Sequence, residues 1–193
     1  MNEYGWILDG QIFEWINGTT SNVVFDAVLP IIRNKFTWIP FYVFLVGALF
    51  YQFRWRALPY IGFLILTVGL ADTVSSKIIK PAVKRVRPCN RPADNSTLKV
   101  IARIPCGSGF SFPSSHASNH FAIAFFLIAS GWVVLRLWVS LLILWAALIG
   151  YSQIYVGVHF PVDVLVGSVL GMAIGFLFAK LWRVANVKYN IWN

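Results

Sequence analysis

Four stretches of this chain contain no Asp, Glu, Lys or Arg: Phe36 to Phe53, Ala117 to Leu135, Leu137 to Val162, and Val164 to Ala179. Each is long enough, or nearly so, to cross the ~30 Å hydrocarbon core of a bilayer. A fifth stretch, Ala57 to Ala71, continues through Asp72 to Ile79 and completes a span if Asp72 faces the protein interior. Only 12% of the residues are charged, against about 25% in a soluble domain, so most of the surface must face something other than water. The expected fold is an all-α integral membrane protein, a helical bundle of about five transmembrane helices, with six as the alternative. No polar linker or internal repeat divides the chain. Residues 1–193 are expected to form one domain, with interfacial helices over 1–33 and a transmembrane core over 34–185.

The first 33 residues are shorter and more polar than the rest. Leu8, Ile12, Trp15 and Ile16 share one helical face, away from Asp9, Gln11 and Glu14. Asn17-Gly18 can stop that helix, and Thr19, Thr20 or Ser21 can cap a second one reaching Ile32. Two amphipathic helices lying at the interface fit this pattern better than a sixth span. Glu3 and Asp9 argue against a signal peptide.

Arg54, Arg56, Arg136, Lys180, Arg183 and Lys188 fall on one side of a five-span bundle, which the positive-inside rule makes cytoplasmic. The opposite side also carries a basic stretch, Lys77 to Arg103, whose cations have another use below. An integral protein of a bacterial inner membrane follows as the expectation, with that stretch facing the periplasm or exterior. Cys89 and Cys106 lie in this outward loop. A disulfide between them suits an oxidising compartment; two unpaired thiols are the alternative. The net charge of +9 is better matched to anionic lipid headgroups than to nucleic acid, because no soluble basic domain exists to carry the latter.

Three short polar blocks interrupt the apolar runs where a helix would meet water. In the first, Lys80, Lys84 and Arg87 follow i, i+4, i+7 spacing until Pro88 ends the pattern. Arg87 offers paired donors to phosphate oxygens, and Lys80 a movable point charge. The bland alternative is a basic cluster anchored to headgroups. The second block, Pro113-Ser114-Ser115-His116, opens an apolar run. Ser114 is a candidate N-cap, and the free backbone N–H groups of a helix start bind anions. In the third, Ser152 nears the end of one run, and His159 is followed four residues later by Asp163 in the first turn of the next. A carboxylate so placed can accept the imidazole Nδ1–H and leave Nε2 free as a nucleophile or base. Ionisable groups at membrane depth are rare unless functional. Two histidines, a carboxylate and several fixed cations suit phosphoryl transfer, which needs positioning and electrostatic stabilisation.

Taken together the blocks resemble the type 2 phosphatidic acid phosphatase superfamily, whose membrane branch removes phosphate from lipids. The family pattern is Lys, six residues, Arg-Pro; then Pro-Ser-Gly-His; then Ser-Arg, five residues, His, three residues, Asp. The chain has Lys80 with Arg87-Pro88, then Pro113-Ser114-Ser115-His116, then Ser152-Gln153 with His159 and Asp163. The resemblance implies that His159, oriented by Asp163, attacks phosphorus to form a phosphohistidine. His116 protonates the leaving oxygen and then activates water. Lys80, Arg87, Ser114, Ser115, Ser152 and Gln153 hold the phosphate, and no metal or other cofactor is required.

Two positions depart from that pattern. Ser115 replaces Gly but keeps the backbone N–H. Gln153 replaces Arg, which removes a positive charge from the phosphate cradle; Lys84, Arg85 or Arg103 is a candidate to compensate. The implied substrate is an amphiphilic lipid phosphate or pyrophosphate: undecaprenyl pyrophosphate, phosphatidic acid or phosphatidylglycerol phosphate, or lipid A. Phe110 and Phe112 are candidates to line its access route. Three rivals remain at this point. One is a zinc enzyme using His116, His120, His159 and Asp163. The others are a lipid phosphotransferase sharing the same intermediate, and a degenerate lipid-binding protein.

Overall fold

The computed structural model describes residues 3–91, 98–133 and 135–192. Residues 92–97 of the basic loop, and Val134 within the Ala117 to Leu135 window, lie outside the described residues. The described chain is helical. Helix α1 (Glu3–Glu14) runs into a π-helical turn, Trp15–Thr19. Helix α2 (Val23–Ile32) starts where Asn22 accepts from the Phe25 N–H at 2.9 Å. Helix α3 (Ile39–Phe53) has Pro40 in its first turn, where a missing N–H costs nothing. The chain then reverses at Arg54, whose φ of 53° breaks the helix. Helix α4 (Ala57–Asp72) continues through π-helical residues Thr73–Ile79 into the short α5 (Lys80–Val83), which stops at left-handed Lys84. The remaining helices are α6 (Ser115–Ala129), α7 (Arg136–Tyr155) and α8 (Pro161–Tyr189).

Helix α6 sits in the middle, flanked by α4, α7 and α8, with most of its side chains buried, Ala117, Ser118 and Phe126 among them. Within lipid no hydrophobic force separates helix from solvent, so close packing and buried hydrogen bonds must hold the bundle. The α6–α8 seam supplies the first. Gly167, Gly171 and Gly175 lie one turn apart on α8, and a Cβ on them would stand 2.5, 2.2 and 2.5 Å from the carbonyl oxygens of Ser114, Ser118 and Ala122. Only glycine lets the two backbones approach so closely. Tyr60 supplies the second, meeting the Ser130 hydroxyl at 2.7 Å between α4 and the end of α6. A second core, built on Phe13, Ile16, Leu29, Tyr155, Val158 and Phe160, docks α1 and α2 beside the α7–α8 turn.

Among the described residues, three helical runs are long and apolar enough to cross a membrane: Lys35–Val83, Arg136–Tyr155 and Pro161–Tyr189. The first is folded back on itself at Arg54–Arg56. Asp72, the one acidic residue within that run's second half, accepts from Asn119 of α6 at 3.1 Å and so faces inward. The window from Ala117 to Leu135 gives only the 15-residue α6, roughly 22 Å long at 1.5 Å per residue. Helix α1 turns its faces the opposite way from a water-soluble helix. Leu8 and Trp15 are each 58% exposed, whereas Asp9 is 2% exposed and packs inward with Phe13. Where lipid surrounds the protein, the apolar face belongs outside and the carboxylate inside.

Candidate active site

The polar blocks meet at one end of the bundle. The α4–α5 end brings Lys80, the start of α6 brings Ser115 and His116, and the end of α7 brings Gln153. The α7–α8 turn brings His159, and the following helix start holds Asp163. That turn is set by Gly157 (φ 89°), where a Cβ would lie 2.9 Å from the Ile101 carbonyl. Val158 and His159 both donate backbone N–H to the Gln153 carbonyl at 3.2 Å, which closes the end of α7 over the site.

Lys80, Arg87, Ser115, His116, Gln153 and His159 line a common cavity of about 420 Å³. Lys80 Nζ donates to the Phe110 carbonyl at 3.0 Å, and Arg87 Nε to the Gly109 carbonyl at 2.8 Å. The 106–110 loop thus holds two cations by their flanks and leaves the charge facing inward. A disulfide joins Cys89 to Cys106 at the base of that loop, with Cα atoms 6.0 Å apart. His159 is 2% exposed, and its Nε2 lies 3.5 Å from Arg87 Nη1. Burial, ahead of every other influence, pushes His159 down to about 4. The Asp163 carboxylate opposes this, and Lys80 and Arg87 add to it.

Asp163 Oδ2 accepts the Phe160 N–H at 2.9 Å and faces His159 Nδ1 at 3.6 Å. The latter is too long for a hydrogen bond. The other oxygen, Oδ1, accepts from Arg85 Nη1 at 2.5 Å. Arg85 is buried, stacks 4.0 Å over the Phe160 ring, and gives its Nη2 to Asp9 at 2.5 Å. Asp9 in turn accepts the Val162 N–H at 2.9 Å. A buried chain of charge therefore runs Asp9–Arg85–Asp163 behind His159.

Some expected ligands are not brought to the cavity. The Ser152 hydroxyl donates to the Ile149 carbonyl at 2.7 Å, as a helical serine readily does, and is fully buried. The Ser114 side chain caps Ala117 N–H at 3.4 Å behind the cavity wall. The Ser115 hydroxyl meets those of Ser76 and Ser75 at 2.9 and 3.1 Å, so the side chain that replaces glycine has a pocket of its own. His120 Nδ1 donates to the His116 carbonyl at 2.7 Å and its Nε2 meets the Tyr42 hydroxyl at 3.2 Å, away from the cavity. Among the described residues, no three His, Cys, Asp or Glu side chains gather as a metal site.

None of the three candidates to compensate for Gln153 does so. Arg85 serves the carboxylates. Arg103 pairs with Asp26 and donates to the Asn17 and Tyr155 carbonyls at 2.9 and 2.8 Å. Lys84 is exposed beyond α5. Instead Arg33, from the end of α2, and Ser76 join the cavity wall. Sequence reasoning missed both, and Asp9 as well. The available signals were an acid on a mostly apolar helix and a cation just ahead of the first charge-free window.

A family model described as the PAP2 superfamily matches residues 56–186. A lipid A 4'-phosphatase of Bacteroides thetaiotaomicron is 34% identical over 173 residues, 89% of this chain and 75% of that protein. A lipid A 4'-phosphatase of Porphyromonas gingivalis is 27% identical, with 97% of this chain and 78% of that protein covered. Among solved structures, the transmembrane PAP2 type phosphatidylglycerolphosphate phosphatase from Bacillus subtilis superposes with a TM-score of 0.68. It is 24% identical and covers 95% of this chain and 88% of its own, so it speaks to the fold alone.

Proposed function

Since the chain belongs to the PAP2 superfamily and is a membrane lipid phosphatase of that family, we propose that it removes the 4'-phosphate of lipid A through a phosphohistidine. The observation that carries the chemistry is the pair of histidines on one cation-walled cavity, only one of them backed by a carboxylate. In the first step His159 Nε2 attacks phosphorus and the P–O ester bond breaks. His116 gives its proton to the departing sugar oxygen. In the second step His116 takes a proton from water, whose oxygen attacks phosphorus. The P–N bond breaks and inorganic phosphate leaves. Lys80 and Arg87 neutralise the charge that builds on the equatorial oxygens, a stabilisation worth most in a water-poor site.

The choice of lipid A rests on the two lipid A 4'-phosphatase relatives. A lipid substrate also has room here. An apolar cleft of about 610 Å³ between α3 and α4, walled by Leu45, Val46, Ile61, Leu64 and Val68, suits acyl chains. In this reading α3, α4, α6, α7 and α8 are the five crossings. The Arg54–Arg56 and Arg136 end is cytoplasmic, and the cavity opens outward.

The test is phosphate release by detergent-purified protein from bisphosphorylated lipid A, phosphatidylglycerol phosphate and undecaprenyl pyrophosphate, with EDTA present and His159→Ala in parallel. Release from lipid A, at least 1000-fold slower in the variant on the scale of losing a covalent catalyst (~4 kcal/mol), is the expected result. Release confined to another lipid would overturn the substrate, and an active His159→Ala would overturn the nucleophile.

A further inference from the structure

Position 153 lacks the guanidinium that the family pattern places there, and the structure supplies one from elsewhere. Arg33 closes the last turn of α2, its N–H donating to the Leu29 carbonyl at 3.1 Å, and extends its side chain to the wall of the phosphatase cavity. Its Nε lies 3.4 Å from Gln153 Oε1. Among the described residues no carboxylate pairs with Arg33, and none lines the cavity it faces. Lys80 and Arg87 stand on the same wall. Three half-buried cations turned toward one cavity repel one another and lose hydration, an arrangement that becomes favourable when a multiply charged anion sits among them.

Gln153 carries the second observation. It is fully buried, its Oε1 faces Arg33, and its Nε2 has no hydrogen-bond partner. A buried amide donor on the wall of a cationic cavity is a group made for an acceptor oxygen. Two features hold the start of α2, the helix that carries Arg33. Asp26 of α2 is held by Arg103 and by the Tyr155 hydroxyl, the latter at 2.7 Å. The preceding turn is held by Asn17, which donates to the Ile101 and Tyr155 carbonyls and accepts from Ile101 N–H, at 2.8, 2.8 and 2.7 Å. The start of α2 is therefore tied to the α7 end that carries Gln153, and α2 carries Arg33 at its other end.

We propose that Arg33 is a ligand of the substrate phosphate, the cation of the cradle having moved from position 153 to the N-terminal segment while Gln153 serves as its hydrogen-bonding partner. This rests on the phosphatase reading above. It also gives the helices ahead of residue 56, outside the matched family region, a direct part in binding.

The experiment measures two quantities on wild type, Arg33→Gln, Arg33→Lys, Gln153→Arg and the double variant Arg33→Gln/Gln153→Arg. One is phosphate release from the best lipid; the other is the affinity for inorganic phosphate by titration calorimetry. Size-exclusion profiles and melting curves establish that each variant is folded. Arg33→Gln is expected to weaken phosphate binding and lower kcat/KM about 10- to 100-fold, the range for losing a charge-assisted contact. Arg33→Lys should recover part of that loss. Gln153→Arg alone crowds two guanidinium groups and should gain nothing, whereas the double variant should return to within about fivefold of wild type. A folded Arg33→Gln protein with unchanged phosphate affinity and unchanged turnover overturns the assignment. So does a double variant no better than Arg33→Gln. A wild type that binds inorganic phosphate yet releases none from any lipid sinks the hydrolase reading, and phosphate affinity across the same variants then decides on Arg33 separately.

Discussion

At His159 two opposing influences meet within one side chain. Burial holds the imidazole neutral, down to about 4, while the nearby carboxylate works to charge it. In an unfolded chain the same group would titrate near 6.5. As pH falls below that value the unfolded state takes up a proton that the folded state refuses, so stability is lost from about pH 6.5 down toward 4. Above that window the contribution is flat. The expected result is a melting temperature lower at pH 5 than at pH 7.5, with a smaller difference in His159→Gln; an equal difference in both proteins would refute the assignment. Most of the residues around His159 were legible in the sequence, because the resemblance to the family pattern implies one site for Lys80, Arg87, His116 and Asp163. What the spacing could not give was direction. Ser152 occupies its motif position yet bonds back to its own helix. Arg85, a candidate spare phosphate ligand, lies behind the site on two carboxylates.

Among the helices, the α6–α8 seam does most to set the catalytic geometry. It runs from the Ser114 carbonyl to that of Ala122, so it fixes the distance between His116 on α6 and Asp163 at the start of α8. Gly171→Leu places a side chain where even a Cβ would be 2.2 Å from the Ser118 oxygen. The helices must separate, at a cost of at least 1–3 kcal/mol on the usual scale of overpacking. A lower melting temperature together with reduced kcat is expected, and Gly47→Leu, where a Cβ would meet nothing within 4 Å, serves as the control. A Gly171→Leu protein as stable and active as the control would show that the seam is loose. The four-residue spacing of Gly167, Gly171 and Gly175 stands in the sequence, but it does not say which helix that face meets. Helix α1 was harder to read. Leu8, Ile12 and Trp15 do form a face, but amphipathicity does not say which face a membrane protein keeps for itself. The pairing of Asp9 with Arg85 decides that, and it is a contact between residues 76 apart.

Across the whole molecule, the N-terminal segment is tied to the residues around the cavity. It gives Arg33 to the cavity wall, Asp9 to the charge chain behind His159, and Asn17 to the loop around Ile101. Asp9→Asn tests this dependence. Removing one partner from a buried ion pair costs about 3–5 kcal/mol, and Arg85 would then lose one of the two carboxylates it bridges. A fall in both melting temperature and kcat is expected, and restoration of turnover by Arg85→Met in the same chain would trace the defect to the stranded guanidinium. Unaltered melting and turnover in Asp9→Asn would confine α1 to anchoring. The separations also impose an order on synthesis. Asp9 leaves the ribosome early, but Arg85 follows 76 residues later and Val162, whose N–H it also accepts, 153 later. Since a chain emerges from its N-terminal side, α1 can meet Arg85 first and completes its contacts only once the start of α8 has been made. A nascent chain therefore stays chemically harmless to the lipids around it, and the enzyme becomes competent only as its last helix arrives.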